Sequence, residues 1–197
     1  MKSFQYKQLL TVPNLLTCFR FVSTPILLAL AWKGQDRVFL LLLVATFLTD
    51  ILDGMVARLL KQESELGALL DTWGDLLIYT TIAVSSWWLW PKVMQRELYF
   101  AIIVIASYML PTAVGVIKFR AFPSYHTWMV KFAVACMGCS FFLLVLFDIS
   151  WAFRLASILC FLAATEEIAI SCVLPELRSN VQTFWHVKRQ LTHTQKN

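Results

Sequence analysis

The chain has 197 residues, a length that suits one compact domain. Hydrophobic residues make up 59% of it and charged residues 15%, and its mean hydropathy is +0.68. This balance excludes an ordinary soluble globule and is typical of a protein with several membrane spans. The net charge of +5 does not indicate nucleic-acid binding, because the basic residues are scattered between apolar blocks. We expect them to orient the chain in the membrane and to contact membrane lipids.

Polar and apolar side chains alternate irregularly over residues 1–12, which predicts a short helix lying in the membrane interface. Pro13 and Asn14 then interrupt or restart the helix. The first long apolar stretch covers about residues 19–32 and carries one cation near its start, Arg20. Arg20 would either reach the lipid headgroups or lie beside a substrate.

Five further apolar stretches follow, each close to the roughly 20 residues needed to cross a bilayer. They cover about residues 38–60, 66–90, 98–117, 127–147 and 151–174. The predicted fold is therefore an all-α integral membrane protein with six transmembrane helices and an N-terminal interfacial helix. Residues 1–175 would form the membrane domain, and the basic segment 176–197 would form a cytoplasmic tail.

Six spans would place both termini on the same side of the membrane. That side would hold the larger share of the basic residues, which the positive-inside rule assigns to the cytoplasm. Its basic residues would be Lys2, Lys7, Arg20, Arg58, Lys61, Lys118, Arg120, Lys131 and the cations of the tail. We therefore expect the termini and the connector 61–65 to be cytoplasmic, at the cytoplasmic membrane if the source is bacterial.

Four carboxylates interrupt the second and third apolar stretches. Asp50 and Asp53 lie near the end of the second stretch, and Asp71 and Asp75 lie near the start of the third. Their spacings of three and four residues place each pair on one helix face. Because the polar connector 61–65 lets the third stretch fold back beside the second, the four carboxylates are predicted to converge.

Such a cluster requires a counter-ion, since a carboxylate at membrane depth costs about 2.5–3.5 kcal/mol and neighbouring carboxylates repel one another. Ligands that are all oxygen suit hard divalent cations rather than zinc. A metal held in this way can bind a diphosphate during phosphoryl transfer. Gly54 and Gly67 would allow a substrate to approach closely, and Arg58 would add a cation beside the anionic group.

The pattern Asp50-x2-Asp53-Gly54-x2-Ala57-Arg58-x8-Gly67-x3-Asp71-x3-Asp75 resembles the full signature of the CDP-alcohol phosphatidyltransferase family. The resemblance implies a six-helix membrane enzyme, usually a homodimer, with two divalent ions, Mg²⁺ or Mn²⁺, at the cytoplasmic end of the helices. It also implies transfer of a phosphatidyl group from CDP-diacylglycerol to a small alcohol, with release of CMP.

The same resemblance assigns roles to the matching residues. It makes Asp50, Asp53 and Asp71 the main metal ligands, with Asp75 nearby or shared. Asp75 is also the candidate general base, because a metal-bound carboxylate accepts a proton poorly and the outermost member of the cluster is better suited. The residues that would line the donor nucleotide are Gly54, Ala57, Arg58 and Gly67.

The acceptor is predicted from weaker signals. The segment from Pro13 to Arg20 resembles the phosphatidylglycerophosphate synthase and cardiolipin synthase branch of the family, which favours glycerol 3-phosphate. That branch usually reads Leu-Asp-Pro-x-Ala-Asp-Lys around the last two aspartates, where this chain has residues 70–76, Leu-Asp-Thr-Trp-Gly-Asp-Leu. The basic residues that would bind an acceptor phosphate are Arg20, Lys118, Arg120 and Lys131, although the last three would equally serve to end helices at the headgroup layer.

Two other functions remain open at this point. A polyprenyl-type transferase would also use aspartates to hold a metal-bound diphosphate, but it would not explain Gly54, Ala57 and Arg58 or the gap to Gly67. A non-enzymatic carrier of divalent cations would explain the carboxylates, but it predicts them along a path rather than at one end of the helices.

Overall fold

A computed structural model describes residues 12–59, 65–120 and 127–174 of the chain. Within these ranges, the side chains of residues 12–17, 53–54, 56–59, 65–66 and 68–69 lie outside the description. The predicted interfacial segment before residue 12 and the predicted tail 176–197 lie outside the described ranges as well.

The described residues form seven α-helices and no strand, so the all-α prediction is confirmed. The helices are α1 (Val12–Trp32), α2 (Asp36–Leu59), α3 (Glu65–Leu89), α4 (Pro91–Arg96), α5 (Leu98–Phe119), α6 (Trp128–Phe147) and α7 (Ser150–Val173). Six of them match the six predicted stretches. The short α4 was not predicted; it begins at a proline, whose fixed φ suits a first helical position.

Three helices, α5, α6 and α7, are long and apolar enough to cross a membrane. The first helix contains a shorter apolar segment, Cys18–Trp32. The two remaining long helices, α2 and α3, carry the aspartates of the predicted site, which lower their hydropathy. The described residues thus support a membrane protein with three candidate spans, and the count of six stays a prediction.

The first compact unit of the chain contains α1, α2 and α3. Its first helix packs against both of the others. The buried side chains of α1 recur at helical spacing, with Arg20, Leu27 and Ala31 each no more than 2% exposed. Phe39 of α2 and Ile78 of α3 are also fully or almost fully buried. This packing brings α1 against both helices that carry the predicted carboxylates.

The second compact unit begins at residue 92, and in it α7 packs against α5 and α6. Many of the buried residues of α7 are small, among them Ala156, Ser157, Ala163 and Ala164. Small residues let helix backbones approach closely, which is the usual packing of membrane helices. The fold of this unit is therefore consistent with a membrane setting.

A polar network joins the helix ends of the second unit. Glu97, which precedes α5, is completely buried and accepts hydrogen bonds from Arg154 at 2.8 and 3.0 Å and from Arg96 at 3.0 Å. Arg96 also donates to Asp148, the residue that ends α6 with a positive φ of 58°. The network ties the starts of α5 and α7 to the end of α6.

We expect this network to weaken in acid. The pKa of Glu97 is lowered to about 2, and the hydrogen bonds from Arg154 are the largest cause of this shift. Because the pKa is lower in the folded state, the stabilisation is complete above the unfolded value of about 4.3 and is lost as the pH falls towards 2. The midpoint of thermal unfolding in detergent should therefore fall across this window.

The variant Glu97→Gln isolates the contribution of this carboxylate. It should have a lower midpoint than the wild type at neutral pH, because the arginines lose their anionic partner, and a smaller difference from the wild type near pH 2. Asp36→Asn, which removes an exposed carboxylate outside the network, serves as the control. A constant difference between Glu97→Gln and the wild type from pH 7 to pH 2 would contradict the expectation.

Candidate metal centre

Three of the four predicted carboxylates lie together. Asp50 of α2 and Asp71 and Asp75 of α3 each offer one carboxylate oxygen, and these oxygens all lie within 4.8 Å of one another. The two aspartates of α3 share one helix face because they are four residues apart. The three side chains are between 33% and 42% exposed, so the cluster is open to solutes.

A buried arginine of α1 contacts all three carboxylates. Arg20 Nη1 lies 2.8 Å from Asp50 Oδ1 and 2.8 Å from Asp75 Oδ1, and Arg20 Nη2 lies 2.5 Å from Asp71 Oδ1. The arginine itself is only 1% exposed. The guanidinium therefore contacts one oxygen of each carboxylate, which its several N–H donors allow.

Local features of α1 and α3 surround this arginine. The hydroxyl groups of Ser23 and Thr24 donate to the carbonyl oxygen of Arg20 at 3.1 and 2.8 Å. On α3, a Cβ atom added to Gly74 would lie 3.3 Å from Arg20 Nη1 and 3.4 Å from its Cζ. Glycine at position 74 thus gives the guanidinium room between Asp71 and Asp75.

The donor set fits a hard divalent cation. All three ligand groups are carboxylates, which suit magnesium and manganese rather than softer metals. Three negative charges against the one positive charge of Arg20 leave two negative charges, which one divalent ion would balance. The three carboxylates could therefore hold a metal ion. The same carboxylates also contact Arg20.

The spacing of residues in the sequence did not directly indicate that Arg20 would meet these aspartates. Arg20 was predicted either to reach the lipid headgroups or to lie beside a substrate and bind the acceptor. The first alternative is wrong, because Arg20 is only 1% exposed and its guanidinium contacts the three aspartates. The second stays a prediction. A signal for the contact existed, because Arg20 is the only charged residue between Lys7 and Lys33. A lone cation in an apolar helix requires an anionic partner when it is buried.

The other predicted residues of the first unit are less completely described. The backbone of Gly67 lies on α3 one turn before Asp71. Asp53, Gly54, Ala57 and Arg58 lie on α2, but their side chains are outside the described part of the structure. The fourth metal ligand and the wall of the donor site accordingly stay predictions.

The predicted acceptor-binding residues of the second unit lie at or near helix ends. Lys118 Nζ donates to the carbonyl oxygens of Ser171 and Cys172 at 2.8 and 2.9 Å, at the end of α7, where a cation is favourable. Arg120 ends α5 with a positive φ of 53°. Lys131 Nζ lies 5.4 Å from the ring centroid of Trp128. These contacts give the three residues structural roles and leave acceptor binding a prediction.

Comparisons with family models and with curated proteins indicate the same family. A family model described as CDP-alcohol phosphatidyltransferase matches residues 10–165. A Streptomyces coelicolor protein named cardiolipin synthase (CMP-forming) is 31% identical over 78% of this chain and 74% of its own length.

Two further relatives are matched over shorter regions. A putative cardiolipin synthase of Mycobacterium tuberculosis is 32% identical over 46% of this chain, and the match spans less than half of that protein's length, 47%. An Aquifex aeolicus protein named CDP-diacylglycerol–glycerol-3-phosphate 3-phosphatidyltransferase is 30% identical over 48% of this chain and 53% of its own length. No solved structure gives a significant match.

Proposed function

Because this chain belongs to the CDP-alcohol phosphatidyltransferase family, we propose that it transfers a phosphatidyl group from CDP-diacylglycerol to a glycerol hydroxyl and releases CMP. The observation that carries the proposal is the meeting of three carboxylate oxygens, from Asp50, Asp71 and Asp75, within 4.8 Å of one another. Membership of the family removes the two alternatives considered from the sequence, a polyprenyl-type transferase and a cation carrier.

The acceptor we favour is phosphatidylglycerol, since a relative that aligns with 78% of this chain is named a cardiolipin synthase. Glycerol 3-phosphate, the acceptor predicted from the sequence, is the second candidate, and the name of the Aquifex relative supports it. Both molecules present a glycerol hydroxyl close to a phosphate. One site could therefore recognise either by the same chemistry.

The aspartates would share the work of the reaction. Asp75 would take the proton of the acceptor hydroxyl as its oxygen attacks the phosphatidyl phosphorus. The bond from that phosphorus to the oxygen of CMP would break, and CMP would leave with the electron pair. Asp50 and Asp71, together with Asp53, would hold Mg²⁺ or Mn²⁺, and two bound ions would supply positive charge to the diphosphate.

We further propose that α1, α2 and α3 also cross the membrane, which gives six spans. The shortest of them has 21 residues, or about 31 Å of helix, which matches a hydrocarbon core of about 30 Å. Their charged groups are tolerable there because Arg20 pairs with the aspartates. Both termini and the metal centre would face the cytoplasm, and the protein would act as a homodimer.

An acceptor panel tests the proposed function. The purified protein, with CDP-diacylglycerol and Mg²⁺ or Mn²⁺, should release CMP fastest with phosphatidylglycerol and should form cardiolipin. Glycerol 3-phosphate, serine, inositol and inositol phosphate are the competing acceptors, and chelation of the metal should stop the reaction. Fastest release with glycerol 3-phosphate would support the second candidate. Absence of CMP with every acceptor would contradict the proposed transfer.

A further inference from the structure

The guanidinium of Arg20 uses the same carboxylates that would hold the metal. It takes Oδ1 of Asp50, Oδ1 of Asp75 and Oδ1 of Asp71 at distances between 2.5 and 2.8 Å. The side chain is 1% exposed, so burial limits the water available to solvate its charge. In this arrangement the three carboxylates balance the positive charge of Arg20.

Simultaneous binding of a guanidinium and a divalent ion to these oxygens is opposed by electrostatic repulsion. Two cations a few ångströms apart repel each other, and the repulsion is strongest where water is scarce. The negative charge of the cluster also falls by one because of Arg20, which weakens its attraction for any further cation. An anionic diphosphate near the cluster would change this balance, because it would give the guanidinium another partner.

We propose that Arg20 is a positioning residue that couples metal binding to donor binding. Its guanidinium competes with divalent ions for the oxygens of Asp50 and Asp71, so the centre holds ions weakly by itself. An arriving diphosphate draws the guanidinium towards itself and leaves the oxygens to the ions. The second half of this proposal rests on the proposed function, whereas the competition between Arg20 and the ions does not.

Gly74 provides an independent way to test the position of the guanidinium. A methyl group at this residue would lie 3.3 Å from Arg20 Nη1, so the guanidinium would have to shift by a few tenths of an ångström relative to the carboxylates. If Arg20 competes with ions, Gly74→Ala should strengthen ion binding and should have no further effect once Arg20 is replaced. Gly138 of α6 is the matched control, because a Cβ atom added there meets nothing within 4 Å.

The experiment is a Mn²⁺ titration of the purified protein, with free Mn²⁺ measured by its paramagnetic resonance signal. Without donor, Arg20→Gln should bind Mn²⁺ about tenfold more tightly than the wild type, a size typical of coupled sites. Addition of CDP-diacylglycerol should tighten Mn²⁺ binding in the wild type and much less in Arg20→Gln. Arg37→Gln, at an exposed cation of α2, and Gly138→Ala should both resemble the wild type.

Mn²⁺ binding to Arg20→Gln that is unchanged or weaker than in the wild type would overturn the proposal and make Arg20 a structural support of the carboxylates. If Arg20→Gln does not fold, Gly74→Ala decides, and wild-type affinity in that variant is the contrary result. Additive effects of Arg20→Gln and Gly74→Ala on Mn²⁺ affinity, in the variant that carries both, would also count against the proposal. These titrations need no turnover, so they remain decisive even if no acceptor yields CMP.

Discussion

Replacement of Asp71 by Asn is expected to lower the rate of CMP release by about a thousandfold. Asp71 contributes one of the three clustered oxygens and accepts a hydrogen bond from Arg20 Nη2. Asparagine keeps the shape of the side chain but removes a negative charge and replaces one ligand oxygen by an amide. A bound ion supplies several kcal/mol of charge stabilisation in phosphoryl transfer, and each 1.36 kcal/mol is a factor of ten in rate.

Two measurements test this expectation. The initial rate of CMP release should fall, and Mn²⁺ binding should weaken in parallel, so that a large excess of Mn²⁺ restores part of the rate. Asp36→Asn is the control, because Asp36 is exposed and accepts a hydrogen bond from the backbone N–H of its neighbour Arg37. A rate for Asp71→Asn within threefold of the wild type would remove Asp71 from the metal centre.

The sequence predicted the helices well because apolar runs of this length have few alternatives. The predicted fifth and sixth stretches, 127–147 and 151–174, lie within one residue of α6 and α7. The prediction missed α4, since six residues between two long helices carry too little periodic signal. It predicted six spans, of which the described residues support three, α5, α6 and α7. The carboxylates of α2 and α3 lower the hydropathy of those two helices.

The site was predictable in part. The spacing of Asp71 and Asp75 placed both on one face of α3, and the structure brings Asp50 of α2 to them. The contact with Arg20 was not predictable from spacing, because it depends on which face of α1 packs against α2 and α3. The role of Gly74 follows from the same packing, so the sequence alone marked it only as a departure from the usual motif of its branch.

Replacement of Asp75 by Asn separates proton transfer from metal binding. Asp75 lies one turn after Asp71 on the same face of α3, and its Oδ1 lies 2.8 Å from Arg20 Nη1. It is also 33% exposed, so an acceptor could reach it from the solvent side. If Asp75 is the general base, Asp75→Asn should lower transfer by about 10²- to 10⁴-fold, the range typical of a positioned base.

Metal-dependent binding of CDP-diacylglycerol should remain nearly intact in this variant, because the other carboxylates would still hold the ions. The comparison with Asp71→Asn is therefore the sharpest part of the test. Asp71→Asn should lose metal binding and transfer together, whereas Asp75→Asn should lose transfer alone. Loss of donor binding in Asp75→Asn would instead assign Asp75 to the metal ligands, and the base would then have to be sought among the other residues near the acceptor hydroxyl.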